Sequence, residues 1–146
     1  MKKLIIRSGN LTIGGQEKML VEFLNVLDPK KYEVLLLIEE DNGEENIYEK
    51  ELPAWIHYEF LVPRKFMKKI QKAKRSKSFI RKIYYSYFLK KKKKISIQNF
   101  AKHLNFSDYI IDYDLGLLRN VEQVDLEGKT LVGWSQIGRA SCRERV

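Results

Sequence analysis

The uninterrupted apolar run Val34–Ile38 is the feature that most constrains the fold of this chain. A strand that alternates apolar and polar residues has one solvent-exposed face, whereas a run without alternation needs cover on both faces. Such strands are typical of parallel sheets that lie between two layers of helices. The run therefore predicts a parallel sheet in an α/β domain.

The segment before this run predicts the rest of a βαβ unit. Leu4–Ile6 is a short apolar strand, and the turn residues Ser8–Asn10 follow it. From Gln16 the apolar period becomes that of an amphipathic helix, which Asp28-Pro29 ends. The predicted core-facing stripe of this helix is Met19, Leu20, Phe23, Leu24 and Leu27. A strand, a helix and a second strand in this order predict parallel pairing through a right-handed crossover.

Three later segments predict further strands. These are Ile56–Val62, which Pro63 ends, then Tyr109–Ile111 and Leu131–Val132, and the acidic segment 39–51 has room for a short helix. We therefore expect the α/β class, with a Rossmann-like parallel sheet, helices on both faces and one domain over residues 1–136.

The positive charge of the chain is confined to one segment. The net charge is +9, yet residues 60–107 contain 16 Lys and Arg and no Asp or Glu. This basic insert predicts a helix with an aromatic face, then a lysine run, and then a second helical stripe that packs on the sheet. The aromatic face is Phe79, Ile80, Ile83, Tyr84, Tyr87 and Phe88; the run is Lys90, Lys91, Lys92, Lys93 and Lys94; the second stripe is Ile97, Phe100, Ala101 and Leu104.

The basic insert has three interpretations. Lysines beside aromatic and aliphatic residues on one helix are typical of contact with an anionic membrane, and we assign Lys90–Lys94 to that contact. A solvated helix whose aromatic face packs on the domain is nearly as well supported. Nucleic-acid binding comes last, because no RNA or DNA module signature accompanies the charge.

The loop between the first strand and the first helix is the predicted ligand site. Ligands of open α/β sheets bind at the carboxyl ends of the strands, where this loop lies. Gly14 and Gly15 have no Cβ, so backbone amides can approach an anion at the amino-terminal end of the helix. Their spacing matches neither GxGxxG nor the Walker motif, so a plain strand-to-helix turn stays open. Arg7 and Asn10 are further candidate substrate contacts.

The string Ile13–Leu20, followed by Leu24–Val34, resembles the amino-terminal domain of family-4 glycosyltransferases. Phe106–Tyr113 is similar to a later strand of that family, and Lys129–Ser135 to a strand that commonly ends in Trp-x-His. The resemblance implies the amino-terminal, acceptor-side half of a GT-B fold. Position 136 holds Gln where that pattern has His.

The resemblance also implies an activity for a longer protein. Such an enzyme transfers a hexosyl group from a UDP- or GDP-linked sugar to a glycan or lipid-linked acceptor in cell-surface polysaccharide synthesis, with no cofactor and no essential metal. Its carboxyl-terminal domain carries a pair of glutamates that this chain lacks, so we assign no catalytic residue and expect this chain to be inactive alone. Glu17 is better interpreted as a first-turn residue than as a catalytic acid, and His57 and His103 as structural or exposed.

The last ten residues differ in character from the rest. Residues 137–146, which hold the single cysteine, Cys142, resemble the translation of a widely used short-read sequencing adapter. We therefore expect an artefactual or disordered tail after residue 136.

The location and the competing function follow from the same features. No secretory signal or membrane span is visible, so we expect a cytoplasmic protein, with peripheral contact to the inner face of the plasma membrane. The alternative function is a stand-alone basic module that binds anionic membrane or nucleic acid through residues 60–107.

Overall fold

The protein forms one parallel sheet with helices on both faces. A computed structural model describes residues 1–114, 126 and 128–134. The strands are β1 (Lys2–Ser8), β2 (Tyr32–Glu40), β3 (His57–Val62), β4 (Tyr109–Asp112) and β5 (Thr130–Gly133). All neighbouring strands pair in parallel, in the order β3-β2-β1-β4-β5. This is the Rossmann order, and it confirms the predicted fold class.

The apolar run that predicted this sheet is its best-covered strand. Val34–Ile38 is fully buried within β2, which pairs with β1 on one side and β3 on the other. Alternate side chains enter two separate clusters, since Leu36 lies with Ile6 on one face and Leu37 with Ile5 on the other. Both faces are therefore dry, as an unalternating strand requires.

Helix α1 (Gly15–Val26) covers the first face of the sheet. Leu20, Val21 and Leu24 are buried, whereas Met19 is about half exposed. The predicted stripe was thus wrong at Met19, because the buried face is centred closer to Val21. The helix ends before Asp28-Pro29, and the carboxylate of Asp28 accepts a hydrogen bond from the amide of Lys30 at 2.9 Å.

The basic insert forms a helical hairpin. Helix α2 (Arg64–Arg75) begins directly after β3, and α3 (Phe79–Ala101) returns along it. The sequence predicted two helical pieces here and did not predict α2; instead α3 runs unbroken through all five lysines. Its last turns place Phe100, with Ile97 beside it, in the cluster on the second face of the sheet.

The faces of α3 differ from the predicted arrangement. Only Tyr85 and Phe88 of its first half pack against α2, beside Met67 and Ile70. Most of the predicted aromatic face is exposed instead: Phe79, Ile80, Ile83, Tyr84 and Tyr87. The interpretation in which this face packs on the domain is therefore wrong for those five residues.

Three findings complete the description of the chain. In the described residues no helix is both long enough and apolar enough to cross a bilayer. The predictions for Gln136 and for residues 137–146, including Cys142, concern positions outside the described residues. The acidic segment after β2 forms two short 3-10 helices, Gly43–Glu45 and Ile47–Glu51, as the sequence allowed.

Gly43 supplies a test of how the acidic segment meets α2. It has φ +62°, and a Cβ there would lie 2.6 Å from the Arg64 guanidinium, whereas Gly128 has φ +75° with open space around it. Both Gly→Ala changes carry the left-handed penalty of about 1 to 2 kcal/mol. Arg64 is exposed, so its guanidinium can move aside from an added Cβ at little cost, and we expect similar losses in the free energy of unfolding, measured in urea, for the two variants. A loss for Gly43→Ala that exceeds the loss for Gly128→Ala by more than about 1 kcal/mol would show that Arg64 is held rigidly against the acidic segment.

Candidate functional site

The predicted ligand loop lies where the strand order reverses. β1 is flanked by β2 on one side and by β4 on the other, so the loop after Ser8 opens at the switch point of the sheet. In α/β sheets the crevice at such a point is the usual ligand position. The structure thus places Asn10, Gly14 and Gly15 at one end of the sheet, beside the carboxyl ends of β2 and β4.

The loop is held to its neighbours by main-chain hydrogen bonds. The carbonyl of Gly9 accepts from the amide of Glu40 at 3.0 Å, and that of Leu11 accepts from Tyr48 at 3.2 Å. The side-chain oxygen of Asn10 accepts from the amide and the hydroxyl of Thr12, at 3.2 and 2.8 Å. Asn10 therefore shapes the loop, and its assignment to a substrate stays a prediction.

Arg7 is buried beneath this loop and is surrounded by carboxylates. Its guanidinium lies 2.9 Å from Glu39 and 3.4 Å from Asp112, and it also contacts Asp114. Burial on its own would lower the pKa of Arg7, but the carboxylates outweigh it and the pKa is raised. We call Arg7, Glu39, Asp112 and Asp114 the Arg7 cluster. It joins the carboxyl ends of β1, β2 and β4, and both terminal nitrogens of Arg7 are engaged within the protein.

Gly9 makes room for the cluster. A Cβ at this position would overlap a carboxylate oxygen of Asp114. The absent side chain therefore allows Asp114 to reach Arg7 across the loop. Sequence reasoning missed Gly9, Asp112 and Asp114. The available signal was Arg7 itself, because a buried arginine at the end of an apolar strand needs carboxylate partners.

The glycine pair lies at the amino-terminal end of α1. Gly14 precedes the helix in an extended conformation and Gly15 is its first residue. The carboxylate of Glu17 lies against Gly14, in space that a Cβ would fill, whereas nothing lies within 4 Å of the Cβ position of Gly15. A negative group thus already occupies one side of this helix end, which agrees with the first-turn role predicted for Glu17.

Tyr113 is a buried side chain at the same place. Its ring is 1% exposed, and its carbonyl accepts a hydrogen bond from the Gln16 side chain at 3.0 Å. Burial, and then the charge of Glu17, raise the pKa of its hydroxyl. That hydroxyl has no hydrogen-bond partner among the described residues. A buried donor of this kind beside a helix end is a group that a ligand can satisfy.

Trp134 covers the side of Tyr113. The two ring centroids are 5.6 Å apart, and Trp134 also contacts Phe23 of α1, with the centroids 5.0 Å apart. The residue after β5 therefore reaches the site from the other edge of the sheet. The spacing of this aromatic residue behind a strand was visible in the sequence, but its contact with α1 was not.

The two histidines and the lysine run lie outside this loop. His57 is exposed at the start of β3, and Nε2 of His103 lies 3.0 Å from the Glu59 carboxylate. In the run, Lys92 pairs with Glu40 at the end of β2 and is mostly buried, whereas Lys90, Lys91, Lys93 and Lys94 are exposed. Lys92 is therefore an internal contact, and Lys91 lies over the ring of Phe66 at 5.9 Å from its centroid.

Comparisons with known proteins give no sequence match and a distant structural similarity. No protein-family profile matches this chain, and no curated protein matches it. Among solved structures it is similar to apo UGT2 of Phytolacca americana, with 15% sequence identity and a TM-score of 0.47. The similarity covers 93% of this chain and 30% of that structure, so this chain spans less than a third of its length. It carries no argument about activity.

Removal of the Arg7 charge should unfold the carboxyl edge of the sheet. Arg7→Met removes the buried cation that contacts Glu39, Asp112 and Asp114, and we expect a loss of about 3 to 5 kcal/mol in the free energy of unfolding. The matched control is Lys3→Met, which removes a half-exposed ion pair to Glu33 at 3.8 Å and should cost less than about 1 kcal/mol. Urea denaturation measures both, and similar losses would contradict a structural role for the Arg7 cluster.

The buried hydroxyl of Tyr113 should lower the free energy of unfolding of the unliganded protein. Tyr113→Phe removes a buried unsatisfied donor and should raise the free energy of unfolding by about 1 kcal/mol. Because burial raises the pKa of the Tyr113 hydroxyl above its usual value of 10, ionisation favours the unfolded chain, and the wild-type protein loses stability as the pH rises above about 10. The variant should therefore lose less stability in alkali. The exposed Tyr109→Phe is the control, and a destabilised Tyr113→Phe would show that the hydroxyl has a partner.

Proposed function

We propose that this chain is the amino-terminal, acceptor-side domain of a glycosyltransferase, one that transfers a hexosyl group from a UDP- or GDP-linked sugar to a glycan or lipid-linked acceptor. The observation that carries the proposal is the position of Gly14 and Gly15, at the amino-terminal end of α1 and at the switch point of a Rossmann-like sheet. Phosphate groups bind at such helix ends, where amides and the helix dipole favour negative charge.

Two side chains support an anion at this position. Glu17 already places a carboxylate against Gly14, so the helix end accepts negative charge. The buried hydroxyl of Tyr113 lies close enough to Glu17 for the charge of that carboxylate to raise its pKa. We infer that the diphosphate of the sugar nucleotide displaces the Glu17 carboxylate and receives a hydrogen bond from Tyr113.

Such a site would assist departure of the nucleoside diphosphate. When the bond to the sugar breaks, negative charge grows on the leaving oxygen, and fixed amide dipoles stabilise it without reorganising. The Arg7 cluster keeps the loop in place before the ligand arrives, so little ordering is needed on binding. The groups that act on the sugar itself are assigned to the remainder of the enzyme.

The test of this function uses the complete reading frame. Genomic DNA across codons 130–150 should show the frame continuing beyond Gln136 into a second α/β domain, in place of residues 137–146. The protein expressed from that frame should release UDP or GDP from at least one nucleotide hexose when acceptor lipids or glycans are supplied. A native stop after codon 146, or no release from any donor, contradicts the proposal.

Gly15→Ala separates ligand binding from stability. Alanine is the better helix residue, and the Cβ meets open space, so stability should be unchanged or up to about 1 kcal/mol higher. The same Cβ should obstruct a diphosphate at the helix end and weaken UDP-glucose or GDP-mannose binding about tenfold, measured by calorimetry. Glu22→Ala, at an exposed position of the same helix, is the control. Unchanged affinity for Gly15→Ala would place the ligand elsewhere.

A further inference from the structure

The outer face of the α2–α3 hairpin carries an apolar stripe that no described residue covers. Ile80, Ile83, Tyr84 and Tyr87 are each more than half exposed. Their spacings of three, four and seven residues place them on one face of α3. We call these four residues the hairpin stripe. The rings of Tyr84 and Tyr87 contact Phe88 at the border of that face, with centroids 6.2 and 5.8 Å apart. So large a contiguous apolar face on a charged helix indicates a contact surface.

Lysines continue the hairpin stripe along the helix. Lys90 and Lys94 follow Tyr87 at spacings of three and seven residues, so they extend the same face. Lys91 instead lies over the ring of Phe66 in α2, with its Nζ 5.9 Å from the ring centroid. Lys92 lies on the opposite face, where it pairs with Glu40. The structure therefore separates the lysine run into an outer group and an internal anchor.

A cation-lined cavity lies between α2 and the start of α3. Its volume is 430 Å³, and no acidic side chain lines it. The lining residues are Lys68, Gln71, Lys72, Arg75, Ser76 and Arg81. An apolar cavity of 330 Å³ adjoins it, since Lys72 and Arg81 line both, and Tyr84 connects this second cavity to the hairpin stripe. Cationic and apolar surfaces thus adjoin one another, as anionic headgroups above hydrocarbon require.

We propose that the hairpin docks on the surface of an anionic phospholipid bilayer. The hairpin stripe enters the boundary between headgroups and acyl chains, and lipid phosphates bind at the cation-lined cavity and at the outer lysines. The charge of residues 60–107, sixteen cations and no acid, complements such a surface. In this arrangement α3 lies along the membrane, with the hairpin stripe toward the acyl chains.

Charge and chemistry favour this occupant over two others. A second copy of the chain would bring two unbroken sets of cations together, and like charges repel. Nucleic acid binds aromatic rings by stacking on bases, which the aliphatic Ile80 and Ile83 cannot do, whereas both residues fit hydrocarbon.

The docking surface lies at the ligand end of the sheet. α2 begins at the carboxyl end of β3, Arg64 meets Gly43 in the segment after β2, and Lys92 ties α3 to the end of β2. The glycine loop opens at the same end. The docking proposal depends only on the residues of the hairpin. The further conclusion, that a lipid-linked acceptor reaches the loop, rests on the proposed function.

Vesicle sedimentation tests the docking with the chain as it is. We expect the protein to sediment with vesicles of phosphatidylcholine and phosphatidylglycerol at 3:1 and to remain in solution with phosphatidylcholine alone. Each lysine near the membrane surface strengthens vesicle binding about fivefold. The double variant Lys90→Gln/Lys94→Gln should therefore weaken vesicle binding about thirtyfold. The matched control is Lys30→Gln/Lys31→Gln, two exposed lysines outside the hairpin, with unchanged binding expected.

A second variant tests the apolar part. Ile80→Ser/Ile83→Ser should weaken binding about tenfold or more, with an unchanged circular dichroism spectrum, since both side chains are exposed. The proposal would be overturned by equal losses of vesicle binding for the two lysine pairs, or by equal binding to neutral and anionic vesicles. It would also be overturned if the chain formed a dimer that does not bind vesicles, or if it bound single-stranded RNA more tightly than vesicles. No sugar nucleotide is present in this assay, so a failure here leaves the proposed transfer reaction separately testable.

Discussion

The ion pairs of Arg7 fix the end of the sheet on which the rest of the site depends. One buried guanidinium joins residues that come from the ends of three strands, and Gly9 leaves the space through which Asp114 reaches it. Electrostatic attraction between opposite charges is strong where water is excluded. Removal of one partner of a buried ion pair therefore lowers the free energy of unfolding strongly. The loop after β1 is therefore built on a rigid base.

The Arg7 cluster also connects to the other residues of the predicted ligand site. The carbonyl of Arg7 also accepts the amide hydrogen of Tyr113 at 2.8 Å, so the cluster and the buried hydroxyl share one main-chain link. Gln16 then connects Tyr113 to the first turn of α1. In the proposed function, the fixed loop, the open position of Gly15 and the Tyr113 hydroxyl at one helix end would together bind an anion with little reordering.

The hairpin adds a second surface at the same end of the sheet. Lys92 is the link, because its pairing with Glu40 attaches α3 to the strand next to the loop. The outer lysines and the hairpin stripe then face away from the sheet. Such an arrangement would hold the ligand loop near a membrane without inserting the domain, which suits an enzyme whose acceptor carries a lipid.

The sequence predicted the fold well because local pattern determines it. Five short strands, the first helix and parallel pairing all followed from apolar runs and their periods, and Val34–Ile38 alone required cover on both faces. Helix α2 was missed because its sequence is dominated by lysine and arginine, with Met67 and Ile70 as its few buried anchors. Met19 was misplaced because a neighbouring apolar residue, Val21, took the core position.

The site was predicted only in part, because its contacts join distant parts of the chain. Arg7 and Asp112 are 105 residues apart, and no spacing rule connects them. Charge along the sequence likewise could not show that Lys92 faces inward while Lys90 and Lys94 face outward, since this depends on where α3 meets β2. The sequence placed the glycine pair at the strand-to-helix junction, where Gly14 precedes α1 and Gly15 begins it, and the assignment of the pair to a substrate stays a prediction.

Amide chemical shifts of the labelled chain, followed by NMR during titration with UDP-glucose and then GDP-mannose, report directly on ligand binding at the glycine loop. We expect the largest shifts at residues 9–16 and at Tyr113, and we expect Gly15→Ala to need about ten times more ligand to produce them. Shifts confined to the hairpin, or none at millimolar ligand, would contradict a nucleotide-sugar site at the Arg7-supported loop.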